Sequence, residues 1–331
     1  MSAPLTPARR RAVIAGLVAA LIISMVMGLC ISPLGWSLAL DLMSLRAGRV
    51  ALAAIVGAGL AATGAALQAL LRNPLADPYV LGVSGGAAMG GALALTVGAV
   101  GSVGLGLHLS AALGALLATA LLAWFLAQDR GRSATRGETA LLVGVTLNAF
   151  SWALVAVVRA ALPAERTQIL SVWLVGSVGY PEVQDLLLAA VVTALGIGAL
   201  VVAAGDLSLL RAGEDEAARL GVDVRRARLL VYGGASALVG VAVSTSGVIG
   251  FIGLIAPHAV RLVLGRDDRL VVPAAALFGA AALVLFDAAA RVSFSLFDSE
   301  LPTGALTAVV GAPVFAFALW RKVGAARGGA R

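Results

Sequence analysis

Apolar runs about as long as a bilayer is thick follow one another almost without interruption along this chain. They fall at 12–33, 50–71, 80–100, 105–127, 139–162, 186–204, 229–247, 248–264, 270–290 and 303–320. An α-helix rises about 1.5 Å per residue, so about 20 consecutive apolar residues cross the hydrocarbon core. Ten such runs within 331 residues predict about ten transmembrane helices in one all-α, polytopic membrane domain over 1–331. The runs do not alternate apolar and polar residues over about ten positions, as strands of an outer-membrane barrel do. With 60% of residues apolar and 12% charged, the chain carries more apolar surface than one water-facing core can hide. A soluble enzyme, a disordered protein and a nucleic-acid-binding domain are excluded on that ground.

Two junctions need interpretation. Gly247, Gly250, Gly253 and Pro257 interrupt the seventh and eighth runs. That pattern predicts a broken or re-entrant helix, which is tolerated in a membrane only where protein or a cavity covers it. The first run follows Arg9-Arg10-Arg11 and imitates a signal peptide. It is long enough to span and further spans follow, so it is read as the first helix.

Charge sets the orientation. The net charge is +7, and 19 of the 24 basic residues fall in segments that share one side when both termini are placed inside. Only Arg46, Arg49, Arg159, Arg166 and Arg291 fall on the other side. Cytoplasmic loops carry the excess of Lys and Arg, so this split predicts an even number of spans with both termini cytoplasmic. The basic balance thus belongs to the inner loops rather than to nucleic-acid binding.

The residues that carry chemistry are few. Cys30 is the only cysteine, so no intrachain disulfide forms. His108 and His258 are too few for a usual zinc cluster. His258 has no second ligand close in sequence, and His108 reads as an outer-surface residue without chemistry. The only lysine is Lys322, and no Gly-Lys-Ser/Thr loop exists, so the chain has no P-loop. Gln68, Thr146 and Asn148 lie inside apolar runs and read as interhelical hydrogen-bond partners, with pathway lining as the alternative. Gly82, Gly86 and Gly90 form a small face suited to close helix packing or a subunit interface.

The longest polar stretch between spans runs over 206–228. Within it Glu214, Asp215 and Glu216 suit the positive N-terminal end of a short helix. Arg219 lies near its end, Gly221 stops it, and Ala217, Ala218 and Leu220 provide a small apolar face. A short, capped helix exposed on the inner side has the shape of a docking element.

Several stretches together resemble the FecCD/BtuC-type permease family. They are Arg46 to Arg49 before a Gly/Ala-rich span; Gln68 to Pro78 followed by Leu81 to Ala87; Gly213 to Gly221; Gly247 to Arg261; and Glu300 to Gly304 followed by Thr307-Ala308 and Gly311 to Phe315. Five ordered motifs from Arg46 to Trp320 make the resemblance specific. Arg46-Ala47-Gly48-Arg49 lacks the proline usual in the family but keeps both arginines. The Glu-Ala-Ala-x-x-x-Gly coupling motif of type I importers fits less well, because Gly221 comes one residue early after Glu216-Ala217-Ala218.

The resemblance implies a BtuC-like type II ABC importer permease of the cytoplasmic (inner) membrane. Such permeases have ten transmembrane helices and pair with a second permease copy, usually as a homodimer. Two cytoplasmic ATPase subunits bind the ATP and Mg, so this chain binds no cofactor of its own and carries no catalytic or metal-ligating residue. A periplasmic or surface-anchored binding protein delivers a ferric siderophore, haem or cobalamin.

The resemblance assigns residues as well. Gly213, Glu214, Asp215, Glu216, Ala217, Ala218, Arg219, Leu220 and Gly221 become the ATPase-coupling segment. Arg46, Arg49 and Arg291 become the groups that meet carboxylates of the binding protein, for which a planar guanidinium fork is suited. Asp287 lies four residues before Arg291 and pairs with it on one helix face. Asn73, Pro74, Asp77 and Pro78 form a tight inner turn, with an inner gate or ATPase contact as the alternative to a purely structural role. His258 and Arg261 either anchor the membrane interface or contact the ATPase. The scarcity of polar groups in the spans suits a smooth passage for a bulky chelate, with selectivity residing in the binding protein. A secondary transporter driven by an ion gradient would place ionisable residues near the midplane. Asp287 and Arg159, the charged candidates inside the runs, lie towards the outer ends.

Overall fold

The computed structural model describes residues 6–32, 35–36, 42–96, 105–128 and 136–328. Arg130, Arg132 and Arg331, used in counting charge, lie outside the described residues. Among the described residues the ten apolar runs become ten apolar helices. Seven are long enough to cross a membrane: α1 (Pro7–Cys30), α2 (Met43–Leu70), α4 (Leu105–Gln128), α5 (Arg136–Ala161), α7 (Val183–Leu210), α9 (Val224–Ser246) and α11 (Asp268–Val292). Three apolar helices have shorter apolar stretches: α3 (Val83–Thr96), α10 (Ile252–Leu264) and α13 (Thr303–Gly328). Three further elements, α6 (Ala164–Val175), α8 (Glu214–Arg219) and α12 (Phe294–Phe297), lie between them. A two-residue antiparallel pairing, β1 (Ile31–Ser32) with β2 (Gly35–Trp36), closes the turn after α1.

Local chemistry explains several of these boundaries. Thr6, Asp223 and Asp267 cap α1, α9 and α11 with side-chain oxygens that accept otherwise orphaned N–H groups. Gly265 ends α10 with φ 80°, a conformation that glycine adopts without a Cβ penalty.

Helix α2 is the centre of the bundle, packed against α7, α9, α10 and α11. Its small residues permit this. A Cβ on Gly57 would lie 2.3 Å from the Gly279 carbonyl oxygen, and one on Gly279 would lie 2.4 Å from that of Gly57. Backbones therefore touch, and dispersion between close helices replaces the hydrophobic drive that lipid does not supply. The Gly82, Gly86 and Gly90 series packs internally: Gly86 meets Gly114 and Gly90 meets Ser110, both on α4. Gly82 instead turns the chain into α3 with φ 82°.

The break between the seventh and eighth runs lies at Gly247–Phe251. Gly247 and Phe251 both have φ 68°. Other irregular segments cover this backbone. Ser177 N–H donates to the Ser246 carbonyl at 2.8 Å, and Gly304 N–H donates to the Gly176 carbonyl at 2.9 Å. The turn after α6, the break before α10 and the start of α13 thus satisfy each other's backbone groups, as irregular backbone at membrane depth requires.

Candidate functional site

The two ends of the bundle carry different chemistry. Helix α2 has 28 residues and extends about 42 Å. Arg46 and Arg49 lie at its start. Leu70 at its other end shares a groove of about 530 Å³ with Ala127 of α4, Glu214 of α8 and Arg228 of α9.

At that second end α8 is the short helix that the charge order of Glu214–Arg219 predicts. Gly213 precedes it with φ 142°, and Gly221 follows it with φ 86°. Both conformations favour glycine. Glu214, Asp215 and Glu216 occupy the first turn and Arg219 the last, each matched to the helix dipole. Ala217 is fully buried and its carbonyl accepts from Val222 N–H at 3.0 Å, which seats the helix. Glu214 pairs with Arg228 of α9. Asp215, Glu216, Ala218, Arg219 and Leu220 face outward, with Leu220 61% exposed.

Behind α8 lies a polar connection that the sequence motifs do not reveal. Arg211 caps the end of α7 and donates from Nε and Nη2 to the two carboxylate oxygens of Asp268, at 2.5 and 2.7 Å. Asp268 has no exposure, and its N–H donates to Ser208 Oγ at 3.0 Å. Arg261 of α10 approaches the same carboxylate at 3.6 Å and donates to Gln68 Oε1 and the Ala65 carbonyl. Gln68 Nε2 in turn donates to the Gly253 carbonyl at 3.2 Å. Gln68 is thus the interhelical partner expected. Thr146 is not: its hydroxyl donates to Leu142 of its own helix, because Ser/Thr hydroxyls reach back one turn. Asn148 Oδ1 is buried against α3, at 2.4 Å from the Cβ position of Gly85. His258 packs edge-on to Phe315 of α13, with ring centroids 6.5 Å apart.

Asn73, Pro74, Asp77 and Pro78 lie in the connection from α2 to α3. Asn73 Oδ1 accepts from Leu75 N–H at 2.9 Å, and Asp77 Oδ1 accepts from Tyr79 N–H at 2.8 Å. These side chains fold the turn, as Asn and Asp do when they bond two residues ahead. Asp77 is 4% exposed and its Oδ2 makes no hydrogen bond among the described residues.

Burial pushes the Asp77 carboxyl up to about 6, although the N–H groups of Tyr79 and Val80 pull the other way. A folded-state pKa above the unfolded 3.8 means that the folded chain holds the proton more tightly. Its contribution to stability therefore falls as pH rises from about 4 through 6. Asp77→Asn keeps one acceptor oxygen and removes the ionisation. It is expected to stabilise by about 2–3 kcal/mol at pH 8 and to bring no gain near pH 4. Melting midpoints of both proteins across that range test this; a pH-independent difference contradicts it.

At the opposite end the expected arginines are present but turned inward. Arg46, Arg49 and Arg291 are 6%, 3% and 1% exposed. A carboxylate lies between Arg49 and Arg291. Asp287 accepts from Arg49 Nε at 3.0 and 3.2 Å and lies 3.2 Å from Arg291 Nε, the pair one helical turn apart. Arg49 Nη2 also donates to Glu300 at 2.8 Å, and its guanidinium lies 5.1 Å from the Tyr180 ring centroid. Arg291 donates to the Ile31 carbonyl at 2.7 Å, and Arg46 donates to that of Leu29 at 3.3 Å. The cluster ties α1, α2, α11 and two loops together. Glu300, with a third of its side chain exposed, and Tyr180 are its solvent-facing members.

His108 differs from its expected place. It is 5% exposed, with Nδ1 2.6 Å from Ser244 Oγ and Nε2 3.1 Å from Asp185. It joins the first turns of α4 and α7 to the last of α9. Near them a cavity of about 480 Å³ is lined by Gln168, Val172 and Trp173 of α6 with Ser177, Thr245 and Ser246. Sequence reasoning missed α6. Its 12 residues follow Pro163, and a run that short does not register as a span. Among the described residues no group of three His, Cys, Asp or Glu side chains is placed to hold a metal ion.

The model of the FecCD transport family matches residues 12–321. The chain belongs to the FecCD transport family. It is similar to the cobalamin import system permease protein BtuC of Halobacterium salinarum, 40% identical over 276 residues, covering 83% of this chain and 72% of that one. It is also similar to the hemin transport system permease protein HmuU of Yersinia pestis, 36% identical over 284 residues, covering 85% and 83%. A solved structure of a metal-chelate-type ABC transporter in an inward-facing conformation superimposes with a TM-score of 0.82 at 33% identity. It covers 94% of this chain and 99% of that one. The chain therefore has the polytopic fold of an ABC importer permease.

Proposed function

We propose that this chain is the membrane half of an ATP-driven importer that moves a ferric siderophore, haem or cobalamin across the cytoplasmic membrane. Two copies form the pathway, both termini face the cytoplasm, and two ATPase subunits bind ATP and Mg. The observation that carries the reading is α8: six residues, seated through Ala217, presenting Leu220 and a charged rim to the solvent. So short a helix gains little stability alone. Its rigidity comes from α7 and α9, which makes it a lever against a partner that moves. Closure of the ATPase pair on ATP would displace α8 and shift the inward–outward equilibrium.

A periplasmic or surface-anchored binding protein sits on the opposite end. There Arg46, Arg49 and Arg291 hold the platform together from within, and the binding protein meets it on the side where Glu300 is partly exposed. The relatives' names supply the cargo classes, and the cavity beside α6 suits a passage that contacts cargo without gripping it.

Leu220→Asp tests the docking surface without touching the core. An apolar anchor lost from an interface centre costs at least about 2 kcal/mol, so ATPase co-purification is expected to fall about thirtyfold or more. ATP-dependent cargo uptake into proteoliposomes falls with it, while the permease's own melting midpoint is retained. Normal assembly and uptake in Leu220→Asp would overturn the coupling assignment. Uptake driven by an ion gradient without ATP would overturn the importer reading.

A further inference from the structure

Asp268 is the most enclosed charge at the α8 end, and none of the sequence motifs includes it. It sits in the first turn of α11, fully buried, between two arginines from different elements. Arg211 is three residues before α8 and grips the carboxylate with two hydrogen bonds. Such a fork fixes direction as well as distance. On the other side Arg261 belongs to α10 and carries the connection to Gln68 of α2. Gln68 holds the Gly253 carbonyl, one residue into α10. The path from the base of α8 to the start of α10 is therefore continuous through side chains, each linked by a hydrogen bond or an ion pair.

What lies at the far end is a helix start held in a strained backbone conformation. Phe251 precedes α10 with φ 68°, a left-handed conformation that costs a non-glycine residue about 1–2 kcal/mol. Such a residue keeps that conformation only while its surroundings impose it. Its neighbours include Gly311 of α13, where a Cβ would lie 2.6 Å from that of Phe251. A shift of the α10 start is thereby felt by α13.

We propose that Asp268 is a positioning residue that transmits movement of α8, through Arg211 on one side and Arg261 and Gln68 on the other, to the hinge at Phe251–Gly253. This rests on the reading of α8 as the ATPase-docking segment. A contact merely holding α7 to α11 would explain the Arg211 fork. It would not require the second arginine, or the chain of donors that ends at a helix start beside a left-handed phenylalanine.

The test uses the full-length chain in lipid nanodiscs and then the permease–ATPase complex. Arg211→Lys keeps the charge and loses the fork. Asp268→Asn keeps the shape and loses the charge. Amide hydrogen exchange is expected to rise about tenfold at residues 250–256 in both variants, while α3 stays as in the wild type. Arg211 donates its hydrogen bonds to Asp268 rather than to α10, and Lys keeps the charge that acts on Arg261, so a local role would leave that segment unchanged in Arg211→Lys. In the complex, Arg211→Lys is expected to lower cargo moved per ATP hydrolysed about tenfold with ATP turnover within about twofold. Wild-type exchange at 250–256 in Arg211→Lys overturns the proposal, as does an unchanged transport-to-hydrolysis ratio. Raised exchange at 250–256 in a chain that recruits no ATPase would support the side-chain linkage and instead refute the importer reading.

Discussion

Asp287→Ala is expected to destabilise the chain by about 3–5 kcal/mol, the range for removing one partner from a buried ion pair. Asp287 is wholly buried and faces Arg49 and Arg291, which are themselves 3% and 1% exposed. Without the carboxylate, Arg49 keeps Glu300 and Arg291 keeps the Ile31 carbonyl. Neither arrangement neutralises two enclosed guanidinium groups. Thermal unfolding in nanodiscs and the yield of folded protein measure the loss. The double variant Asp287→Leu with Arg291→Met is expected to recover part of it, because removing both charges leaves fewer of them buried without a counter-ion. A single variant melting within about 1 kcal/mol of the wild type would mean that the arginines reach water when Asp287 is gone.

Gly64→Ala is expected to do as much damage through one methyl group. A Cβ at Gly64 would lie 1.8 Å from the Gly253 carbonyl oxygen, 2.5 Å from its carbon and 2.7 Å from its Cα. These are backbone atoms of α10, so no side chain can rotate away. The central helix and α10 must separate, which strips Gln68 from the Gly253 carbonyl. Losses above about 4 kcal/mol are exceptional for one substitution and come from mechanisms of this kind. Gly233→Ala supplies the contrast. Gly233 lies within α9 with nothing inside 4 Å of its Cβ position. Helix propensity alone then predicts a gain of up to about 1 kcal/mol. Melting midpoints of the two variants should move in opposite directions; a similar small shift in both would remove the packing argument for α2.

The contrast between these glycines marks how far a sequence reading reaches. Gly64 and Gly233 are the same residue in similar apolar runs. Contact with α10 distinguishes them, and that contact is made by a residue 189 positions away in the chain. The ten runs were legible because burial in lipid demands length and apolarity, which are local properties. The break before α10 was legible because Gly247, Gly250 and Gly253 cluster there. The boundaries of α8 were legible through the charge order of Glu214–Arg219 and through Gly221, because capping and dipole effects act within one turn. Helix α6 escaped notice: it is too short to span and follows Pro163 without a capping hydrogen bond from the side chain.

Charged groups show the same division. The Asp287–Arg291 pair follows from a spacing of four on one helix. That Arg49 joins it from a distance of 238 residues does not. The charge split placed Arg46, Arg49 and Arg291 at one end, and the family resemblance implied that their forks meet a partner's carboxylates. Packing turned them inward, Arg49 and Arg291 onto Asp287 and Glu300 and Arg46 onto the Leu29 carbonyl, because a guanidinium beside apolar helices must be paired wherever water is excluded. His108 looked like a surface residue for want of sequence neighbours, and became the junction of α4, α7 and α9 through Ser244 and Asp185.

By itself the sequence determined a many-helix membrane chain, most of its helix ends to within a few residues, its family motifs and the small capped segment α8. These depend on hydropathy, backbone freedom and interactions within a few residues. Only the tertiary structure decided which glycines bring backbones together, which charges are buried, and that Arg211, Asp268, Arg261 and Gln68 form one line across four helices. Those properties belong to pairs of distant residues, and each pair is set by how close the helices come once their small faces have packed.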